Sequence, residues 1–322
     1  MLIGSKCVDY GSDWCPCILA ETGHCPVCSQ AAGADACDCN ASGGVCIREE
    51  LLRNGGKARP PRPTIRAEVA DVRAFGTSVF LRIRVPHELE LALRRPGSFV
   101  FVRKDESPFF DIPLSVQYAE VSNGTIAVSI IPRGAKSDQM RDVRPGDSLF
   151  VRGPYFSGLV GLRDLQTQTG GKCLVLTKGI GLLPSIAVIR QLAVQGNEVR
   201  VLADAADFSD KLLAFNLDLF EIKAEQCHLT EPEGLSDEAM GRIREALDSG
   251  VRLIHVGASD WVIGKVSEFL RAEGRTDVKL ICCNNARMCC GEGICGACTA
   301  TTSSRKTVHF CKEQPNAWEI RA

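Results

Sequence analysis

The chain has 322 residues, room for two or three domains, with 45% hydrophobic and 24% charged residues and a formal net charge of −1. That balance gives no pull toward nucleic acid or an anionic membrane. No apolar run reaches the roughly 18–20 residues that span a bilayer; the best, Cys173 to Ile189, is broken by Lys178, Gly179, Gly181 and Pro184. The first residues, Met1 to Cys7, lack a basic region followed by a hydrophobic core, so they do not read as a signal peptide and a cytoplasmic protein is expected.

The first block, 1–57, is rich in cysteine. It carries Cys7, Cys15, Cys17, Cys25, Cys28, Cys37, Cys39 and Cys46, eight of the 17 cysteines in the chain. Reducing cytosol opposes disulfides, so ligation of a metal is the better reading. Cys25-Pro26-Val27-Cys28 is a strong ligand pair, the Cys-x-Cys pairs at 15/17 and 37/39 are usable, and His24 is a possible substitute. Eight thiolates match two four-cysteine sites, holding either zinc or [4Fe–4S]. Fifty residues with so little apolar content are not expected to fold on core burial alone, so the metal is expected to be structural as well. A linker rich in Gly, Pro and Arg follows, from Asn54 to Pro63.

Alternating runs predict strands at Ile65–Val72, Val79–Val85 and Thr125–Ile131, and Pro-Gly turns precede strands at Gly97–Val102 and Gly146–Val151, the pattern of a small antiparallel barrel or sandwich over 58–160. From 165 to 281 the rhythm becomes strand–helix. Strands are expected at Cys173–Leu176, Val199–Leu202 and Leu253–Val256. Helices are expected at Pro184–Gln195, Ser236–Ser249 (with Ser236 as N-cap) and Ala258–Glu273. This alternation predicts a doubly wound α/β unit. Gly179-Ile180-Gly181-Leu182-Leu183-Pro184 lies between its first strand and first helix, where glycines let a pyrophosphate approach the backbone and the helix start favours negative charge. Alone, such a Gly-x-Gly is as well explained by a tight strand-to-helix turn.

The last block, 282–322, holds the most specific signal. Cys290, Cys295 and Cys298 are followed, after twelve residues, by Cys311. This C-x4-C-x2-C…C spacing is the plant-type [2Fe–2S] pattern. Gly291, Gly293 and Gly296 suit a loop that wraps a cluster, and Thr307–Phe310 alternates as a strand that would return Cys311 to the site. The alternative is a set of buried free thiols. Cys282, Cys283 and Cys289 fall outside the spacing and read as packing thiols or neighbours of the cluster. The fold class is therefore α+β and multidomain: antiparallel barrel, doubly wound α/β domain, C-terminal cluster loop and N-terminal metal-binding segment. No Ser–His–Asp or Cys–His constellation and no paired carboxylates mark a side-chain catalyst, so no catalytic residue is assigned.

The order of barrel, nucleotide domain and plant-type cluster resembles the ferredoxin–NADP reductase superfamily, and within it the electron-transfer subunit of dihydroorotate dehydrogenase type B. The resemblance covers about Ile65 to Pro315. It implies that the barrel binds FAD, the α/β domain binds NAD(P)H and the C-terminal loop holds [2Fe–2S]. The family's flavin strand matches Pro113-Leu114-Ser115-Val116, with Ser115 implied near the flavin ring; the usual arginine is replaced by Ile112. Gly134-Ala135-Lys136-Ser137 matches the phosphate-binding turn, with Lys136 or Arg133 as substitutes for the lost charge. Gly179, Ile180, Gly181 and Pro184 match the nicotinamide motif. Asp204, ending the next strand, is either a ribose acceptor that favours NAD(H) over NADP(H) or a solvated loop acid. Related reductases carry Cys-Gly-Pro where this chain has Val256-Gly257-Ala258. The implied function is a relay from NAD(P)H through FAD and the cluster to a catalytic dehydrogenase or reductase subunit in a hetero-oligomer. Two alternatives stand beside it: an enzyme of the same build with a sulfide, glutamate-synthase or ferredoxin-linked partner, and a non-catalytic cluster-carrying adaptor without flavin.

Overall fold

The computed structural model describes residues 6–37, 44–120, 122–204 and 210–320. They fall into two compact units. One joins Met1–Pro63 to Ala286–Pro315; the other comprises Thr64–Asn285 with Asn316–Ala322.

In the larger unit, seven antiparallel strands form the first sheet: β1 (Thr64–Phe75), β2 (Ser78–Arg84), β3 (Phe99–Arg103), β4 (Ile112–Ser115), β5 (Tyr118–Glu120), β6 (Thr125–Ile130) and β7 (Ser148–Tyr155). Their order is β4-β3-β7-β1-β2-β6-β5. Alternate side chains fill the interior, among them Leu81, Ile83, Val100, Val102, Ile126, Val128, Leu149 and Val151. A bulge between Val69 and Asp71 shifts the β1–β2 register and bends the sheet.

The second sheet has β8 (Leu159–Val160), β9 (Lys172–Lys178), β10 (Glu198–Asp204), β11 (Glu225–Gln226), β12 (Val251–Gly257) and β13 (Lys279–Cys283), in the order β11-β10-β9-β12-β13-β8. All its pairings are parallel except the edge pair β13–β8. The central strands β9 and β12 are apolar without alternation, as strands covered on both faces must be. Among the helices that accompany them are α1 (Leu182–Val194), α2 (Asp210–Leu219), α3 (Asp237–Asp248) and α4 (Asp260–Ala272). Ser236 caps α3, its Oγ accepting from the Ala239 N–H at 3.0 Å. The two sheets share one apolar seam: Phe80 and Ala127 of the barrel pack with Leu182, Leu183 and Ile186 of α1 and Leu212 and Leu213 of α2. A buried polar chain crosses the same seam, from Ser129 through Gln117 to Asn216. This junction joins the two sheets within the larger unit.

The smaller unit differs from the expectation for an isolated cysteine block. Cys7, Tyr10, Ala20, Cys28, Ala31, Ile47 and Leu51 form an apolar core, built on the helices Ile18–Glu21 and Ile47–Arg53. Cys15 and Cys25 pack against it. The C-terminal loop completes the unit: residues near Cys7 bridge to Glu313, and Val8 N–H donates to the Lys312 carbonyl at 2.8 Å. Core burial is thus available within this block, and backbone hydrogen bonds tie it to a second segment more than two hundred residues away.

Candidate functional site

A cavity of about 710 Å³ opens in the larger unit at the carboxyl ends of β9, β12 and β13. This is where open parallel sheets bind ligands, and the size suits a nucleotide-class molecule. Ser115 and Arg133 of the barrel face it from one side; Lys178, Gly179, Ile180, Gly181 and Pro184 face it from the other. The sequence-assigned flavin and nicotinamide segments therefore meet in one cavity.

The loop sits so close to the sheet because of two glycines. A Cβ on Gly181 would stand 1.9 Å from the Gly257 carbonyl oxygen. One on Gly257 would stand 2.1 Å from Ser185 Oγ. This is the close strand–helix approach that the glycine motif makes possible. Beneath it Ser185 donates to the Gly181 carbonyl at 2.6 Å and lies 2.8 Å from His255 Nε2. Burial pushes the His255 pKa down to about 3, so the ring is neutral.

The individual site residues divide. Pro113 and Ser115 alternate with Leu114 and Val116, whose side chains belong to the barrel core. The pleat sends them away from the cavity, so only Ser115 of that strand lines it. Ile112 also packs on the barrel core. The arginines nearest that strand are engaged elsewhere. Arg103 donates to Asp111 Oδ1 at 2.6 Å, and Arg152 donates to Asp111 Oδ2 at 2.7 Å and to Tyr155 Oη. Of the two candidate substitutes, Arg133 lines the cavity, whereas Lys136 Nζ lies 4.8 Å over the Phe109 ring. Gly134 and Ala135 open a one-turn helix, Ala135–Asp138. Ser137 Oγ accepts from the N–H groups of Arg133 and Gly134, at 3.0 and 3.3 Å, a capping contact that closes the turn.

Asp204 is buried and accepts from Lys178 Nζ at 2.6 Å and from the Leu229 N–H at 2.9 Å, so it is not a solvated loop acid; it is not among the residues that line this cavity. Sequence reasoning missed Thr230, Trp261, Cys283 and Asn285, which also line the cavity. Asn285 is held by bonds from its Nδ2 to the Ala258 carbonyl and Asp260 Oδ1. Its position just past the end of β13 was the available signal. Cys282 and Cys283 end β13 as buried thiols, and burial pushes Cys283 up to about 12.

In the smaller unit, Cys290, Cys295, Cys298 and Cys311 converge. The Cys311 thiol shares hydrogen bonds with Cys290 and Cys298, and Cys290 with Cys295. The neighbouring Cys311 thiol pushes Cys290 and Cys298 below the ordinary thiol range. Backbone N–H groups aim at the sulfurs: Glu292 N–H donates to Cys290 Sγ at 3.3 Å, with further donors from Cys295, Ala297 and Cys311. Gly291, Gly293 and Gly296 have φ of 72°, 82° and 71°, which L side chains rarely adopt. The hairpin Thr299–Thr301 with Thr307–His309 delivers Cys311. A [2Fe–2S] group needs two thiolates on each iron and N–H donors to sulfur, and this donor set fits it.

The N-terminal thiols fare differently. Cys7 and Cys28 are core residues, Cys15, Cys17 and Cys25 are partly buried, and Cys37 and Cys46 are exposed; Cys39 lies outside the described residues. Burial raises Cys7, Cys15 and Cys25, favouring neutral thiols. Among the described residues, at either end of the chain, no three His, Cys, Asp or Glu are placed to hold one metal ion. The expected zinc or [4Fe–4S] centre is therefore not supported, and of these thiols Cys7 and Cys28 are buried in the apolar core.

No protein-family model matches the chain. The dihydroorotate dehydrogenase B (NAD(+)) electron transfer subunit of Enterococcus faecalis is 24% identical over 238 residues, 71% of this chain and 86% of that protein. A probable counterpart from Methanothermobacter thermautotrophicus is 27% identical over 226 residues, 70% of this chain and 78% of that protein. The chain is a distant homologue of these electron-transfer subunits. Among solved structures, an NADH-dependent reduced ferredoxin–NADP oxidoreductase aligns with a TM-score of 0.58 at 17% identity, over 79% of this chain and 89% of the other. A Plasmodium falciparum ferredoxin–NADP+ reductase mutant with 2′P-AMP aligns at 0.50 and 11%, over 68% and 96%. These likenesses establish the reductase-like fold of this homologue. Among its described residues no helix is long and apolar enough to cross a membrane.

Proposed function

We propose that this homologue is an iron–sulfur flavoprotein subunit that carries electrons between NAD(P)H and a partner catalytic subunit. The observation that carries the reading is the convergence of Cys290, Cys295, Cys298 and Cys311 under N–H donors. When bound, FAD would convert hydride pairs to single electrons and the [2Fe–2S] group would carry them singly. The chain's own residues do the rest. Gly179, Gly181 and Gly257 let a dinucleotide approach the start of α1. Ser115 offers a hydroxyl to a ring in the cavity, and Arg133 offers the positive charge that Ile112 lacks. Neutral His255 supports the loop through Ser185 without adding charge. The names of the relatives support dihydroorotate chemistry in the partner.

A second reading is a cluster-carrying adaptor that binds no flavin. It is favoured by Ile112 in place of the arginine. The visible spectrum of anaerobically purified protein, before and after NADH, separates the two. A flavin band over a cluster background, bleached by NADH, supports the relay. A cluster spectrum without flavin, inert to NADH, replaces it with the adaptor. Absence of any cluster band, in the wild type as in Cys295→Ser, refutes both.

A further inference from the structure

Four charges in the smaller unit form a closed ring away from water. Arg62 donates to Asp9 Oδ1 at 2.5 Å and to the two Glu292 oxygens at 3.1 and 2.9 Å. Lys312 Nζ donates to Asp9 Oδ2 at 2.6 Å and to Glu292 Oε2 at 2.8 Å. The side chains of Lys312, Arg62 and Asp9 are 0, 1 and 2% exposed, and that of Glu292 13%. Arg62 also lies 4.8 Å over the Trp14 ring. Two cations and two anions balance, and every member has two partners of opposite sign. Buried charges are tolerated on such terms and become costly when one partner is removed.

The ring joins three stretches of chain. Asp9 comes from the N-terminal segment and Arg62 from the linker. Glu292 lies between the ligands Cys290 and Cys295, and its own N–H donates to Cys290 Sγ. Lys312 follows Cys311 directly. Two further contacts close the same seam. Gln314 N–H donates to the Lys6 carbonyl at 3.0 Å, and a Cβ on Gly293 would lie 2.7 Å from Leu19 Cδ1.

We propose that Asp9 and Arg62 are positioning residues for the cluster ligands, so that the N-terminal segment is the wall that closes the cluster site. This rests on the [2Fe–2S] reading above. Asp9 and Arg62 each hold Glu292 or Lys312, and so they fix the first and last ligands of the loop relative to each other. Removing the Asp9 charge leaves the ring with an uncompensated cation beside Cys311. The loop loosens. In molecules that keep the cluster, the added positive charge favours the reduced, more negative form.

The test uses the full chain as wild type, Asp9→Asn, Asp9→Asn/Lys312→Met and Arg62→Lys. It reads cluster release to a chelator, the cluster's reduction potential, and alkylation of Cys311 in cluster-free protein. Asp9→Asn should release the cluster at least about tenfold faster and raise its potential, because a buried charge has lost its partner. The double variant restores neutrality and should return release to within about threefold of wild type, with the potential back near its starting value. Arg62→Lys keeps the charge but loses the bidentate fork, so release should quicken while the potential stays put. It also covers the case in which Asp9→Asn fails to fold. Unchanged release and potential in Asp9→Asn, or a double variant worse than Asp9→Asn, would overturn the proposal. If wild type takes up no cluster, the [2Fe–2S] reading fails separately. Alkylation then decides the wall: Cys311 slow in wild type and about tenfold faster in Asp9→Asn supports it, and equal rates overturn it.

Discussion

Gly181→Ala probes the floor of the cavity more sharply than any charged residue does. The new Cβ would lie 1.9 Å from the Gly257 carbonyl oxygen, whereas ordinary contact begins at 3.4 Å. The start of α1 and the end of β12 must therefore part by about 1.5 Å, and the obstacle is backbone, which has no alternative rotamer. Ser185, whose Oγ bonds the Gly181 carbonyl, has to move with it. Overpacking of this kind costs about 1–3 kcal/mol, and the backbone contact places this case toward 3. A misplacement of about 1 Å in a positioning loop costs roughly a hundredfold in rate. The assay is stopped-flow reduction of the flavin by NADH, alongside thermal unfolding. Gly241→Ala in α3 is the control: no atom lies within 4 Å of its Cβ, and it should be stabilising by about 0.5–1 kcal/mol with reduction unchanged. If Gly181→Ala is reduced by NADH within about threefold of wild type, the close approach does not position the nucleotide and the argument fails.

His255 gives a pH signature. Its folded pKa lies below that of the unfolded chain, so the unfolded state binds more protons between about 6.5 and about 3. Stability is full above that window and should fall with acid by up to about 1.4 kcal/mol per pH unit; His255→Asn should flatten the slope in denaturant titrations at several pH values. Asp204→Asn should leave the ratio of NADH to NADPH turnover within about twofold, because Asp204 is committed to Lys178 and Leu229, and should cost about 2 kcal/mol in unfolding experiments. A swing toward NADPH would restore the ribose reading. Ser115→Ala should remove a hydrogen bond worth about 1 kcal/mol, seen as a several-fold weaker flavin Kd by fluorescence titration, while Val116→Ala should lower stability through the barrel core instead.

Features encoded in neighbouring residues were legible from the chain alone. The spacing of Cys290, Cys295, Cys298 and Cys311 predicted that these thiols come together, because the loop that carries three of them is local. Apolar alternation and its change to strand–helix rhythm gave the two sheets, and Gly179-Ile180-Gly181 marked the turn into α1 for the same reason. Tertiary structure alone decided the partners. Asp204 and Ser137 look available in the sequence, yet one is held by Lys178 and Leu229 and the other turns back on its own loop. Leu114 and Val116 left the site because the pleat, fixed only by strand pairing, faces them into the barrel. Above all, Asp9 meets Lys312 across 303 residues of chain, and Arg62 meets Glu292 across 230. Such pairings leave no trace in periodicity or spacing, since they depend on which surfaces come together once each segment has buried its apolar side chains.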